Sequence, residues 1–237
     1  MVRCGFQDLR DPPSPHPPRT TYYNNELGLI ATINLLDTII FKMSLMAPNS
    51  AKIILITGAA SGIGAATAKH LAAEGYRLCL SDINEPLLST VCHDISQTNN
   101  KSILTKTVVD VSDHRSVSTW IEHCGKEAEE NPRIEIYGVF NCAGVNPTPT
   151  PLQKTTNEYF EKLVSVNLQG TFNVCRVAEA YLNQGAVVVN VSSIMGLHPS
   201  AMNSVYCATK YAIIGFSKSL ALEWGPRGIR VNVVAPG

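Results

Sequence analysis

Tyr206 and Lys210 are the two residues of this 237-residue chain whose types and spacing point most directly to chemistry. They are four positions apart, so on a helix both side chains lie on one face. A free phenol has a pKa of about 10 and is a poor base at neutral pH, but a neighbouring cation favours the phenolate. The pair could therefore take a proton from an alcohol, or give one to a ketone that is being reduced.

Two further side chains make this pair more specific, since a tyrosine and a lysine at this spacing also occur by chance in a chain with eight tyrosines. Ser193 closes a predicted strand ahead of the Tyr206 helix and could hydrogen-bond a substrate oxygen. Asn167 falls inside a long predicted helix, where asparagine is a mediocre residue. It could hold a water that passes protons to Lys210, or it could cap a local irregularity of the helix.

A glycine-rich turn, TGAASGIG at residues 57–64, follows the β-branched run KIILIT and precedes a helical pattern. Gly58 permits the tight turn, Gly62 lets the backbone approach a phosphate, and Gly64 lets the helix pack closely on the strand. The free N–H groups and the dipole of the helix start would then face a pyrophosphate. The pattern predicts a dinucleotide site.

Asp82 directly follows the second predicted strand, residues 77–81, and lies 18 residues beyond the last glycine of the turn, Gly64. A carboxylate there would accept hydrogen bonds from the adenosine ribose and repel a ribose phosphate, and Ile83 and Asn84 add no positive charge. NAD is therefore favoured over NADP, and its positive nicotinamide ring would add to the effect of the lysine on Tyr206. The alternative is a surface aspartate that caps the next helix.

The elements that must position these residues alternate along the chain, which indicates an α/β fold with a parallel sheet covered on both faces. Ligands of such sheets bind at the carboxyl ends of the strands. The predicted strands are residues 52–57, 77–81, 102–111, 134–144, 185–193 and 230–237, and the predicted helices are 65–75, 116–130, 155–182 and 205–224.

Composition narrows the classes of partner. With 19 basic and 19 acidic side chains, the chain offers no electrostatic argument for nucleic acid or an anionic membrane, so a small-molecule partner is favoured. Seven scattered cysteines, odd in number, favour a reducing, cytoplasmic location and argue against a disulfide framework or a zinc site. The six histidines show no metal spacing, so no metal is expected.

Residues 1–50 differ from the rest of the chain. The stretch 11–19 is too rich in proline for a helix or a central strand. The apolar stretch 27–46 is interrupted by an aspartate and a lysine and falls short of the roughly 20 residues that a spanning helix needs. We interpret this region as an unstructured leader or a start-site artefact, with Met43 or Met46 as alternative starts. A membrane-surface anchor is the competing interpretation.

Five segments, TGAASGIG, NCAG, SVNLQG, YCATK and GIRVNVVAPG, together resemble the short-chain dehydrogenase/reductase family, shorter oxidoreductase branch, over roughly residues 51–237. The resemblance implies a Rossmann-type, doubly wound sheet of about six strands. It also implies hydride transfer between a nicotinamide cofactor and a secondary alcohol or ketone, with Tyr206 as general acid/base. The catalytic residues it implies are Ser193, Tyr206, Lys210 and Asn167, and the cofactor contacts are Gly58, Ser61, Ile63, Gly64, Asp82, Asp110, Asn141, Tyr206 and Lys210.

The sequence departs from the family at two places. Cys142 stands where the family often has a second asparagine, and the chain ends at Gly237, where members usually continue over the nicotinamide. We therefore expect a sheet without the family's last strand, and the homo-oligomer expected for the family is in question. A second hypothesis is a C-terminally truncated, catalytically silent module that binds nucleotides or a partner.

Overall fold

The computed structural model describes residues 49–99, 101–130 and 134–237. Of the predicted leader at 1–50, residues 1–48 lie outside the described residues. The domain predicted for residues 51–237 begins with a short 3-10 turn, Asn49–Ala51, that leads directly into the first strand.

The sheet has six strands that all run parallel, in the order β3-β2-β1-β4-β5-β6, as the alternating pattern predicted. The strand order reverses between β1 and β4, and ligands of doubly wound sheets bind at such a point. The strands are β1 Lys52–Thr57, β2 Arg77–Asp82, β3 Ile103–Val108, β4 Glu135–Asn141, β5 Val187–Val191 and β6 Arg230–Val234.

Helices cover the two faces of this sheet. They are α1 Gly62–Ala73, α2 Glu85–Thr98, α3 His114–Glu129, α4 Asn157–Leu163, α5 Gly170–Ala178 and α6 Ser204–Trp224. A π-helix, Val164–Gln169, joins α4 to α5. The long helix predicted over 155–182 is therefore present as consecutive helical segments from Asn157 to Tyr181, but the π-helix within it was not predicted. Helix α2 was not predicted from the sequence, although Asn84 caps it by accepting from the backbone N–H of Leu87 at 3.1 Å.

Both faces of β1 are buried, which explains its unbroken run of β-branched and leucine residues. Ile54 and Ile56 belong to the core beneath α1 and α2. Ile53 and Leu55 point the other way, into the core that α3, α5 and α6 cover. This alternation is the two-residue period of a strand. Among the described residues, no helix combines the length and the apolar character that crossing a membrane requires.

Candidate active site

A cleft of ≈ 930 Å³ opens at the carboxyl ends of the strands, over the point where the strand order reverses. Most residues singled out from the sequence line it. They are Gly58, Ser61, Gly62, Ile63, Asp82, Asp110, Ser193, Tyr206 and Lys210. Gly64, Asn141 and Asn167 are not among the lining residues.

The glycine turn lies against the end of β4. Gly58 has a φ of 67°, and a Cβ on it would lie 2.7 Å from the backbone nitrogen of Ala143. A Cβ on Gly64 would overlap the carbonyl oxygen of Gly58. The hydroxyl of Thr57 accepts from the backbone N–H groups of Cys142 and Ala143, each at 3.1 Å. A side chain at Gly58 would therefore separate the turn from the end of β4, and a side chain at Gly64 would separate α1 from the turn.

The amino end of α1 lines the cleft through Ser61, Gly62 and Ile63. Ser61 is the N-cap, but its side chain makes no capping hydrogen bond. Gly62 follows with a φ of 50°, and a Cβ there would meet no described atom within 4 Å. Free N–H groups, the helix dipole and open space together fit a phosphate.

The carboxylate of Asp82 is held at the cleft wall by two backbone donors. Its Oδ2 accepts from the N–H of Ala60 and its Oδ1 from the N–H of Asn84, each at 2.9 Å. Each carboxylate oxygen keeps a lone pair for a ligand hydroxyl. Since Asn84 is the N-cap of α2, Asp82 does not cap that helix, and this disfavours the alternative considered from the sequence.

Asp110 follows β3 and lines the neighbouring part of the cleft. Its Oδ1 accepts from both the backbone N–H and the hydroxyl of Ser112, at 2.9 and 2.6 Å. The strand was predicted to continue to residue 111 but ends at Val108. The chain therefore turns early enough to bring Asp110 into the cleft.

Ser193, Tyr206 and Lys210 converge at the other end of the cleft. Tyr206 and Lys210 are both buried, and the Lys210 ammonium lies 5.7 Å from the Tyr206 ring centroid. It donates to the carbonyl of Val191 at 3.0 Å, so the end of β5 holds it in place. Ser193 follows that strand and accepts from the N–H of Met195 at 3.2 Å.

Burial dominates the electrostatics of this pair. It raises the pKa of Tyr206, and a hydrogen bond with Ser193 opposes the rise. It also lowers the pKa of Lys210 to about 8. In the protein alone, withdrawing a phenolate from water costs more than the protein's own groups return. The lowering of the Tyr206 pKa expected from the sequence also counted the charge of a bound nicotinamide ring, so for the cofactor complex it stays a prediction.

Asn167 lies in the π-helix and is fully buried. Its Oδ1 accepts from the N–H of Val145 at 2.8 Å, and its Nδ2 donates to the carbonyl of the same residue at 3.2 Å. Of the two interpretations considered from the sequence, this geometry favours the local irregularity. A proton relay through Asn167 stays a prediction.

Asn141 is buried at the end of β4 and its side chain belongs to a polar network in the core. Its Nδ2 donates to Oδ1 of Asn190 at 2.8 Å and contacts the sulfur of Cys175 at 3.4 Å. The neighbouring Cys142 lines the cleft instead, and burial raises the pKa of its thiol to about 11. The side chain of Asn141 therefore does not reach the cleft. The contact with the cofactor that was expected for this residue stays a prediction.

One further wall of the cleft was not predicted from the sequence. Lys162, Ser165 and Val166 line it from α4 and the π-helix. The spacing of Lys162 and Ser165 could have placed them on one helical face, but nothing in the sequence marked which face would meet the cleft. Within the described ranges, no group of three or more His, Cys, Asp and Glu residues could hold a metal ion.

Comparison with known proteins gives consistent matches. A family model described as short chain dehydrogenase matches residues 52–237. Levodione reductase of Leifsonia aquatica is 36% identical over 188 residues, which cover 78% of this chain and 68% of the relative. The crystal structure of a levodione reductase superposes with a TM-score of 0.73 at 34% identity, over 79% of this chain and 71% of that one.

Two structures with bound cofactors are also similar. A short chain dehydrogenase from Burkholderia cenocepacia in complex with NADP has a TM-score of 0.73 at 27% identity, over 81% of this chain and 76% of that one. An NAD+-bound xylitol dehydrogenase has a TM-score of 0.71 at 28% identity, over 81% of this chain and 72% of that one.

Proposed function

Because the chain belongs to the short-chain dehydrogenase/reductase family of oxidoreductases, we propose that it transfers a hydride between NAD(H) and a small secondary alcohol or ketone, with Tyr206 as general acid/base. The observation that carries this proposal is the convergence of Ser193, Tyr206 and Lys210 at one end of a cleft whose other end holds the glycine turn and Asp82. The same convergence disfavours the silent module, which would not need these three side chains together.

The geometry of the cleft supports a nicotinamide dinucleotide as its ligand, independently of the similar proteins. The start of α1 fits a pyrophosphate, and the fixed carboxylate of Asp82 fits the two hydroxyls of an unphosphorylated ribose. When bound, the cofactor supplies the carbon that accepts or gives the hydride. Since the similar structures include one with NADP and one with NAD+, the choice of NAD rests on Asp82.

The protein's part of the reaction is the handling of one proton and one oxygen. The Ser193 hydroxyl, which lines the same end of the cleft as Tyr206, would bond the substrate oxygen and hold it at the phenol. Tyr206 would take the proton of an alcohol during oxidation and return it during ketone reduction. Lys210, with a pKa of about 8, is mostly protonated at pH 7, so its charge would favour the phenolate.

The test of this assignment is Tyr206→Phe, which keeps the ring and removes the acidic proton. We expect a loss of at least about 10²-fold in NADH-dependent reduction, the scale of general acid–base catalysis, with NADH binding nearly unchanged. The assay uses a panel of neutral cyclic and aliphatic ketones, and NADH binding is measured by fluorescence titration. Tyr181→Phe removes a hydroxyl outside the cleft lining and serves as control. Full turnover by Tyr206→Phe would refute the assignment.

The choice of NAD is tested by Asp82→Ala. We expect the ratio of kcat/KM for NADH over NADPH to fall by at least about tenfold, because a charge that repels the ribose phosphate is removed. The exposed carboxylate of Asp94, which pairs with Lys69 at 2.7 Å, gives the control variant Asp94→Ala. An unchanged ratio in Asp82→Ala would mean that a group other than Asp82 discriminates between NADH and NADPH.

A further inference from the structure

Thr209 lies on α6 between the two residues of the proton-transfer pair, and only 2% of it is exposed. Its hydroxyl donates to the carbonyl of Tyr206 at 2.8 Å and accepts from Nδ2 of Asn167 at 3.5 Å. The hydroxyl thus links the turn that carries the phenol to a side chain of a different helix. No role was predicted for this residue from the sequence.

The link continues beyond Asn167. Both hydrogens of Nδ2 are used, one toward the carbonyl of Val145 and one toward Thr209, while Oδ1 accepts from the N–H of Val145. The loop after β4, the π-helix and the first turns of α6 are therefore joined through one amide and one hydroxyl. Without the hydroxyl, one amide hydrogen in a fully buried place would lose its acceptor.

On this basis we infer that Thr209 is a positioning residue, whose hydroxyl fixes the Tyr206–Lys210 turn against the π-helix so that the phenol meets Ser193 and the substrate oxygen. The inference rests on the proposed function, since it concerns the placement of the proposed acid/base. A hydroxyl bonded to a carbonyl of the preceding turn also tilts that turn of a helix. The orientation of Tyr206 would therefore depend on this bond directly.

The same helix provides a matched site about two turns beyond Lys210. Ser217, of which 1% is exposed, donates to the carbonyl of Ile213 at 2.7 Å and accepts from Nδ2 of the buried Asn190 at 2.8 Å. Each residue thus combines a bond to its own helix with a bond from a buried asparagine. Ser217 does not line the cleft. A substitution of Ser217 therefore shows how the loss of these two hydrogen bonds affects the protein as a whole, apart from any effect on the cleft.

The experiment compares Thr209→Val, Thr209→Ser and Ser217→Ala in the full chain, with NADH and the neutral ketone that the unmodified protein reduces fastest. We expect Thr209→Val to lower kcat by about 10- to 100-fold, since a misplacement of about 1 Å can cost that much, while the KM for NADH changes little. Thr209→Ser keeps the hydroxyl and should restore most of kcat. Ser217→Ala should leave kcat and KM unchanged, although it removes an equivalent pair of bonds.

Hydrogen–deuterium exchange provides a readout that does not need turnover. Thr209→Val should speed exchange in residues 204–212, and Ser217→Ala should not affect that segment. Equal kcat in Thr209→Val and the unmodified protein, equal losses in Thr209→Val and Ser217→Ala, or no rescue by serine would each overturn the inference. Full turnover by Tyr206→Phe would instead refute the proposed function, and exchange in residues 204–212 would then decide the role of Thr209 alone.

Discussion

At the scale of single residues, Lys210 carries a conflict between function and stability. Its ammonium is withdrawn from water, with 6% of the residue exposed and one hydrogen bond to the carbonyl of Val191. The fall of its pKa from 10.5 to about 8 corresponds to a cost on the order of 3 kcal/mol for keeping the charge at neutral pH. Proteins tolerate such a cost where a charge does chemistry, which is how we interpret this lysine.

This conflict predicts a pH dependence. The folded protein releases the Lys210 proton near pH 8 and the unfolded chain near 10.5, so between these values the unfolded state binds more protons and stability rises with pH. Lys210→Met removes the titration, and we expect it to be more stable than the unmodified protein at pH 7. Its advantage in unfolding free energy should shrink by about 2 kcal/mol by pH 9.5.

Urea denaturation at the two pH values measures this difference. The exposed Lys154 gives the control, since Lys154→Met should leave the unfolding free energy close to that of the unmodified protein at both values. A stability difference for Lys210→Met that is the same at pH 7 and pH 9.5 would show that the lysine does not titrate in this range.

At the scale of elements, the sequence was most informative where local chemistry decides the structure. The run in β1 and the glycine turn were predicted because a strand buried on both faces needs an unbroken apolar run and a close backbone approach needs glycine. The π-helix could not be predicted from local sequence. It is accompanied by two hydrogen bonds between the Asn167 side chain and the backbone of Val145, which lies 22 residues away in the chain. The depth at which Tyr206 and Lys210 lie is likewise a tertiary property, so the sequence did not indicate that burial raises the pKa of Tyr206 in the protein alone.

Two glycines in different helices test the role assigned to the turn. Gly64→Ala forces a Cβ onto the backbone of Gly58, and we expect it to destabilise the protein by about 1–3 kcal/mol and to weaken NADH binding. Gly215 lies inside α6, where a Cβ would meet no described atom within 4 Å. Gly215→Ala should therefore stabilise the protein by about 1 kcal/mol and leave NADH binding unchanged.

Thermal unfolding and NADH titration of both variants check this pair. If Gly64→Ala bound NADH like the unmodified protein, the turn would not need its contact with α1 in order to hold a dinucleotide. Destabilisation by Gly215→Ala would mean that the exposed face of α6 contacts something else.

At the scale of the whole molecule, the cleft joins the two halves of the sheet. The half that contains β1, β2 and β3 contributes the glycine turn, Asp82 and Asp110, whereas Ser193, Tyr206 and Lys210 come from the end of β5 and from α6 in the other half. A dinucleotide long enough to reach both ends would therefore contact both halves at once. Such a ligand binds the folded state and not the unfolded chain, so binding must raise the stability of the whole molecule.

NADH at a hundred times its Kd should accordingly raise the unfolding free energy by about 2.7 kcal/mol. For a chain of this size that corresponds to a rise in Tm of about 5 to 10 °C, measurable by calorimetry. NADPH at the same concentration should raise Tm less, because Asp82 opposes its ribose phosphate, and Asp82→Ala should reduce the difference between the two cofactors. Equal rises with NADH and NADPH would contradict the preference for NAD. No rise with either cofactor would contradict the cleft itself as the dinucleotide site, because a ligand that reaches from Asp82 to Lys210 cannot bind without stabilising the sheet that holds both.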